Sequence, residues 1–100
     1  MNALIPTGIF SAIETYRSLN GFHYFVFDFV EQGDHIDIYC TRHPSLNGQG
    51  SSVSKTHLYS SGKICFVEGK EPRSKWDAQR RAKQWAEYFI EYRKTGKAQS

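Results

Sequence analysis

Phe22-His23-Tyr24-Phe25-Val26-Phe27-Asp28-Phe29-Val30 is the stretch on which the fold turns. Phe25, Phe27 and Phe29 alternate, so an extended chain puts them on one face. Tyr24, Val26, Asp28 and Val30 take the other face. Aromatic and β-branched residues in this rhythm predict a strand. Apolar groups on both faces predict a central strand, covered on both sides.

Working outward, Glu31-Gln32-Gly33-Asp34 reads as a turn. A second strand is expected from His35 to Thr41, with Ile36, Ile38 and Cys40 on one face. Cys40 alternates with core residues and reads as a small buried hydrophobe. Upstream, the spacing of Ile9, Ile13 and Tyr16 predicts a helix over Gly8 to Leu19, with Phe10 and Leu19 beside its apolar face. Thr7 would cap its start, and Gly21 would end it.

The stretch Arg42 to Lys55 holds Pro44, Gly48, Gly50 and four serines, and reads as a long polar loop. Two further strands are expected, Val53 to Tyr59 and Ile64 to Val67, joined by Ser60-Ser61-Gly62. The last element is a long helix from Lys75 to Lys94. Ser74 followed by Asp77 has the shape of a capping box. Ala78, Ala82, Trp85, Ala86 and Phe89 recur at helical spacing and should face the sheet. Glu87 can pair with Lys83, and Gly96 marks the end. The expected fold is a single α+β domain over residues 1–100: an N-terminal helix, an antiparallel β-meander of three to four strands and a long C-terminal helix.

Composition agrees with one packed domain. The chain has 100 residues, 39% of them hydrophobic and 15% aromatic, enough for a core and too apolar for a disordered chain. The net charge of +3 is a mild excess, and its basic residues alternate with acids in the last helix. No apolar run approaches the ~20 residues that span a bilayer. Met1 to Pro6 lacks the basic start and long apolar segment of a secretory leader, so a cytoplasmic location is expected. Cys40 and Cys65 would then stay reduced. His23, His35, His43 and His57 show no metal-ligand spacing with them, so neither metal nor cofactor is expected.

The chemistry-bearing stretch is His57-Leu58-Tyr59-Ser60-Ser61-Gly62-Lys63-Ile64-Cys65-Phe66. Gly62 lets the chain reverse, and Cys65 follows just past the bend, where a reagent can reach it. A thiol there can act as a nucleophile once deprotonated. On local pattern alone the same residues also read as an ordinary hairpin, with Cys65 turned inward and His57 a surface polar group. Lys63 shares the Cys65 side if the segment is a regular strand. Glu68 and Asp77 are near in sequence but read as solvated acids.

This stretch resembles the active-site segment of ubiquitin-conjugating (E2) enzymes, and of their prokaryotic relatives in particular. There a histidine, a glycine and an Ile/Leu-Cys-Leu/Phe step lead to the catalytic thiol. Trp76 is similar to the tryptophan that follows the active site in that family. Trp85-Ala86-Glu87-Tyr88-Phe89-Ile90-Glu91-Tyr92-Arg93-Lys94-Thr95-Gly96 resembles the closing helix of many bacterial members. The resemblance implies a minimal UBC-like fold and a transferase. Cys65 would accept a ubiquitin-like protein as a thioester from an E1-like activating enzyme, then pass it to an amine or thiol on a protein target. His57 would brace the loop, and Tyr59, Gly62 and Trp76 would support it. Where the family carries His-Pro-Asn, this chain has His57-Leu58-Tyr59, without the asparagine that steadies the oxyanion. A relative without activity has the same outline.

Two other classes fit the element order. One is a small α-β-β-β-α RNA-binding module of the double-stranded type, with Lys75, Arg80, Arg81 and Lys83 on phosphates. Glu71, Asp77, Glu87 and Glu91 dilute that charge, so no nucleic-acid partner is expected. The other is a non-catalytic interaction module using Tyr88 and Tyr92 as an aromatic surface.

Overall fold

The computed structural model describes residues 11–98. Three antiparallel strands follow one another, β1 (Ser11–Arg17), β2 (Tyr24–Glu31) and β3 (Ile36–Arg42), in the spatial order β1-β2-β3. A single helical turn, α1 (Val53–Thr56), and a long helix, α2 (Lys75–Thr95), complete the α+β fold.

The phenylalanine row decides the packing. Phe25, Phe27 and Phe29 are all but completely buried. Pairing sets Phe27 opposite Cys40 and Phe29 opposite Ile38, so the apolar rows of β2 and β3 lie side by side. Helix α2 lies across this face. Ala78, Ala82 and Ala86 recur every four residues and let its backbone approach, while Trp85 and Phe89 reach between the rings. Phe25 meets both edge-on, at centroid distances of 5.9 Å. Burying each such side chain is worth about 1.5–3 kcal/mol. The opposite face of β2 is only partly covered, so the expected cover on both sides is present on one.

Helix α2 starts and stops as its sequence dictates. The Ser74 hydroxyl accepts from the Asp77 N–H at 3.0 Å. Gly96 adopts a left-handed φ of 74°, and its N–H returns to the Tyr92 carbonyl. Glu87 does not pair with Lys83. Its carboxylate accepts from the Tyr16 hydroxyl (2.6 Å) and the Leu19 N–H (2.9 Å). That contact, with burial as the larger cause, pushes the Tyr16 phenol up to about 12.

Three expected elements take another form. The expected N-terminal helix over Gly8 to Leu19 is a strand over Ser11–Arg17; Thr7 to Phe10 lie outside the described residues. Ala12, Glu14 and Tyr16 form its inner row, and Ile13 is exposed. Pairing with β2 along its whole length supplies its backbone partners. Partners on α2 satisfy the inner row: Glu14 meets Gln79 (2.9 Å) and Lys75 (3.3 Å). These long-range contacts outweigh the local helical spacing.

The expected strands Val53 to Tyr59 and Ile64 to Val67 are also absent as strands. Val53–Thr56 is one helical turn, and His57 closes it at φ 56°. Only two isolated bridges remain, Leu58 with Ile64 and Tyr39 with Lys63. The turn nevertheless docks on the free edge of β3. Cys40 N–H donates to the Gly62 carbonyl (2.7 Å) and Ile64 N–H to the Ile38 carbonyl (2.8 Å). The sheet therefore has three strands with an irregular fourth segment on its edge.

Candidate active site

Residues 43–52 carry no helix or strand, and their backbone must find partners elsewhere. Helix α2 supplies partners from one face, for this loop and for the α1 turn that follows it. Trp85 Nε1 donates to the Thr56 carbonyl at 2.9 Å, and the Tyr88 hydroxyl donates to the Lys55 carbonyl. The Tyr92 hydroxyl reaches the Gly50 carbonyl (2.6 Å), and Arg93 Nε the Ser45 carbonyl (2.7 Å). Tyr92 is buried and committed to the loop, so it is no part of an exposed aromatic surface. The Thr56 hydroxyl donates to the Ser52 carbonyl and accepts from the Leu58 N–H. These contacts fix the approach to His57.

From there the chain makes a short hairpin. Tyr59 N–H donates to the Lys63 carbonyl, and Cys65 N–H to the His57 carbonyl. Gly62 sits at the bend with φ +92°. A Cβ there would stand 3.1 Å from the Cys40 carbonyl oxygen, so both conformation and space call for glycine.

The hairpin carries Cys65 to the rim of an open cleft of about 250 Å³ between itself and α2. The thiol is partly exposed and free. His57, Phe66, Arg81, Gln84, Trp85 and Tyr88 share the cleft. The His57 ring packs on Tyr88 at 5.3 Å, and Arg81 lies over Phe66 at 5.3 Å. Tyr59 lies diagonally across the hairpin from Cys65. The neighbouring Cys65 is the main reason the Tyr59 phenol's pKa is raised. Cys40 differs in kind: it is buried in the core, and burial pushes its thiol up to about 12.

The structure thus brings Cys65, His57, Tyr59 and Gly62 together. Trp76 stands elsewhere. It is 71% exposed at the start of α2, with Arg80 over its ring, and Trp85 is the tryptophan of the cleft. Lys63 points to Asp37 (3.8 Å) rather than the thiol. Arg81 and Tyr88 were expected at most as phosphate and partner contacts, and Gln84 and Trp85 in no site; all four line this cleft. Their i, i+3, i+4, i+7 spacing on one helix face was the available signal.

A second, larger concavity of about 1090 Å³ opens beyond the hairpin. Asp28, Val30 and Tyr39 of the sheet, Leu46 and Ser52 of the loop, and the turn from Tyr59 to Gly62 border it. Tyr59 therefore stands between groove and thiol. Among the described residues, no group of three or more His, Cys, Asp or Glu side chains is arranged to hold a metal. No described helix is long and apolar enough to cross a membrane. The basic side chains at the start of α2 already face acids: Lys75 meets Glu14, and Arg80 and Arg81 meet Asp77.

No family model, curated protein or solved structure matches this chain.

Proposed function

We propose that the chain is a cytoplasmic carrier of the ubiquitin-conjugating type, loaded on Cys65. One observation carries this reading: the Cys65 thiol lies open on a cleft just past a glycine bend, outside the rows of the core sheet. The residue pattern from His57 to Phe66 supports it, as does the order of antiparallel strands, docked hairpin and long helix.

The chemistry asks little of the protein. The Cys65 thiolate attacks the carbonyl carbon of a thioester held by an activating enzyme. A new C–S bond forms, and the enzyme's thiolate leaves. An amine or thiol on a target then attacks the same carbon. Cys65 leaves as the thiolate, and the attacking group's proton passes to solvent. The donors on α2 fix the turn that leads into the hairpin for both steps. His57 braces the bend through its ring contact and its carbonyl.

The test is incubation with an activating enzyme, ATP and a ubiquitin-like protein from the same source. An adduct that reductant releases should form on the natural chain and on Cys40→Ala. It should be missing on Cys65→Ala. Absence of any adduct with folded, matched partners would contradict the proposal.

A further inference from the structure

The sheet face turned away from α2 carries two acids in different surroundings. Asp37 stands opposite Val30, and Asp28, two residues earlier on β2, stands opposite Tyr39, so both acids share that face. Asp37 is answered within the chain, by His35 at 3.2 Å and Lys63 at 3.8 Å. Asp28 is not: its Oδ1 is buried and has no hydrogen-bond partner among the described residues. A buried acceptor left alone is costly and rare, so its donor is to be sought outside the chain. Asp28 borders the groove of about 1090 Å³. Although the chain has a net charge of +3, no described lysine or arginine lines that groove. Its one histidine, His43, packs on Phe89 at 4.9 Å, with Nδ1 on the Pro44 carbonyl. The Cys40 thiol, also on the lining, stays neutral, its pKa pushed up to about 12. One carboxylate does not make a divalent metal site, which needs several such ligands.

We propose that this groove binds a small organic amine in its protonated form, the ammonium on the Asp28 carboxylate beside Tyr39 and the apolar body along Val30, Leu46 and Leu58. An ammonium brings both things Asp28 lacks, a donor and an opposite charge. Tyr39, the cross-strand neighbour of Asp28, adds an aromatic ring that attracts a cation. A concavity of this size with one charged anchor among apolar side chains has the make-up of a small-molecule site. An anion would find no cationic side chain on the described lining and would meet the Asp28 charge. The groove lies across the hairpin from the Cys65 cleft, so the proposal does not rest on the carrier reading.

The test titrates the natural chain with phenethylamine, phenethyl alcohol and 3-phenylpropionate, which share one body and differ in the head group. Backbone amide NMR shifts report both affinity and place. The amine should move the signals of residues 28–30, 39–41 and 59–62 and bind about 10- to 100-fold more tightly than the alcohol. The acid should bind most weakly of the three. In Asp28→Asn the melting temperature should hold or rise, and the preference for amine over alcohol should vanish. Tyr39→Leu should reduce that preference several-fold. A glycyl-lysyl-glycine peptide blocked at both ends should bind more weakly than phenethylamine. Tighter binding of the peptide would overturn the small-amine assignment in favour of a protein side chain. No shift with the amine, equal binding of amine and alcohol, or a preference that survives Asp28→Asn would overturn the proposal.

Discussion

The core and the hairpin that carries Cys65 are held by different forces. Between β2, β3 and α2, aromatic rings and alanines pack with little polar contact. Between residues 45 and 65, hydrogen bonds do more of the holding: α2 side chains donate to loop carbonyls and Gly62 and Ile64 bond to β3, with the Ile64 side chain buried in the core. The two cysteines sample this contrast: Cys40 sits in the first region, Cys65 in the second. Apolar burial is cooperative and tolerates little loss, whereas a hydrogen-bond fixing can be cut singly, moving the site while the fold stands.

The contrast breaks most heavily at the core. Phe27→Ala should cost about 3–5 kcal/mol, read as a lower urea midpoint. A loss below ~1 kcal/mol would mean the phenylalanine row is not the support described. Gly62→Ala comes next. Its left-handed φ and the 3.1 Å approach to the Cys40 carbonyl should cost about 1–2 kcal/mol or more, with altered Cys65 alkylation.

Tyr88→Phe sharpens the comparison. It removes one donor, to the Lys55 carbonyl, at about 0.5–1.5 kcal/mol. Amide exchange should quicken over residues 53–58 and stay unchanged in β2. Equal quickening in both would merge the two regions.

The smallest effect lies in the turn that joins β2 to β3. His35 contacts Asp34 at 2.8 Å and Asp37 at 3.2 Å, and its pKa is raised, first by the Asp34 hydrogen bond. The folded state therefore favours the protonated ring. This stabilisation is full below the unfolded value of 6.5 and is lost as pH rises through the folded value. The urea midpoint should fall slightly from pH 5.5 to 8, and His35→Asn should flatten that fall.

How much was legible follows the same divide. The Phe25–Phe27–Phe29 row, the partner row in β3, and α2 with its Ser74 cap and Gly96 end all stand in the sequence, because local period and burial agree there. In β1, Ile13 points outward and Glu14 inward, so no apolar alternation marks the strand; the side-chain partners of its inner row on α2 lie over sixty residues away. The segment after Arg42 is shaped by α2 donors that no local pattern announces. The same limit applies at the site. Cys65, Tyr59 and Gly62 are local to one hairpin and could be read together, whereas Gln84 and Arg81 join them only through the fold.

The most direct measurement is iodoacetamide labelling of the folded protein at neutral pH, with each cysteine followed by peptide mass. The account predicts rapid modification of Cys65 and none of Cys40 until denaturant is added. Equal labelling of both thiols, or protection of Cys65, would contradict it.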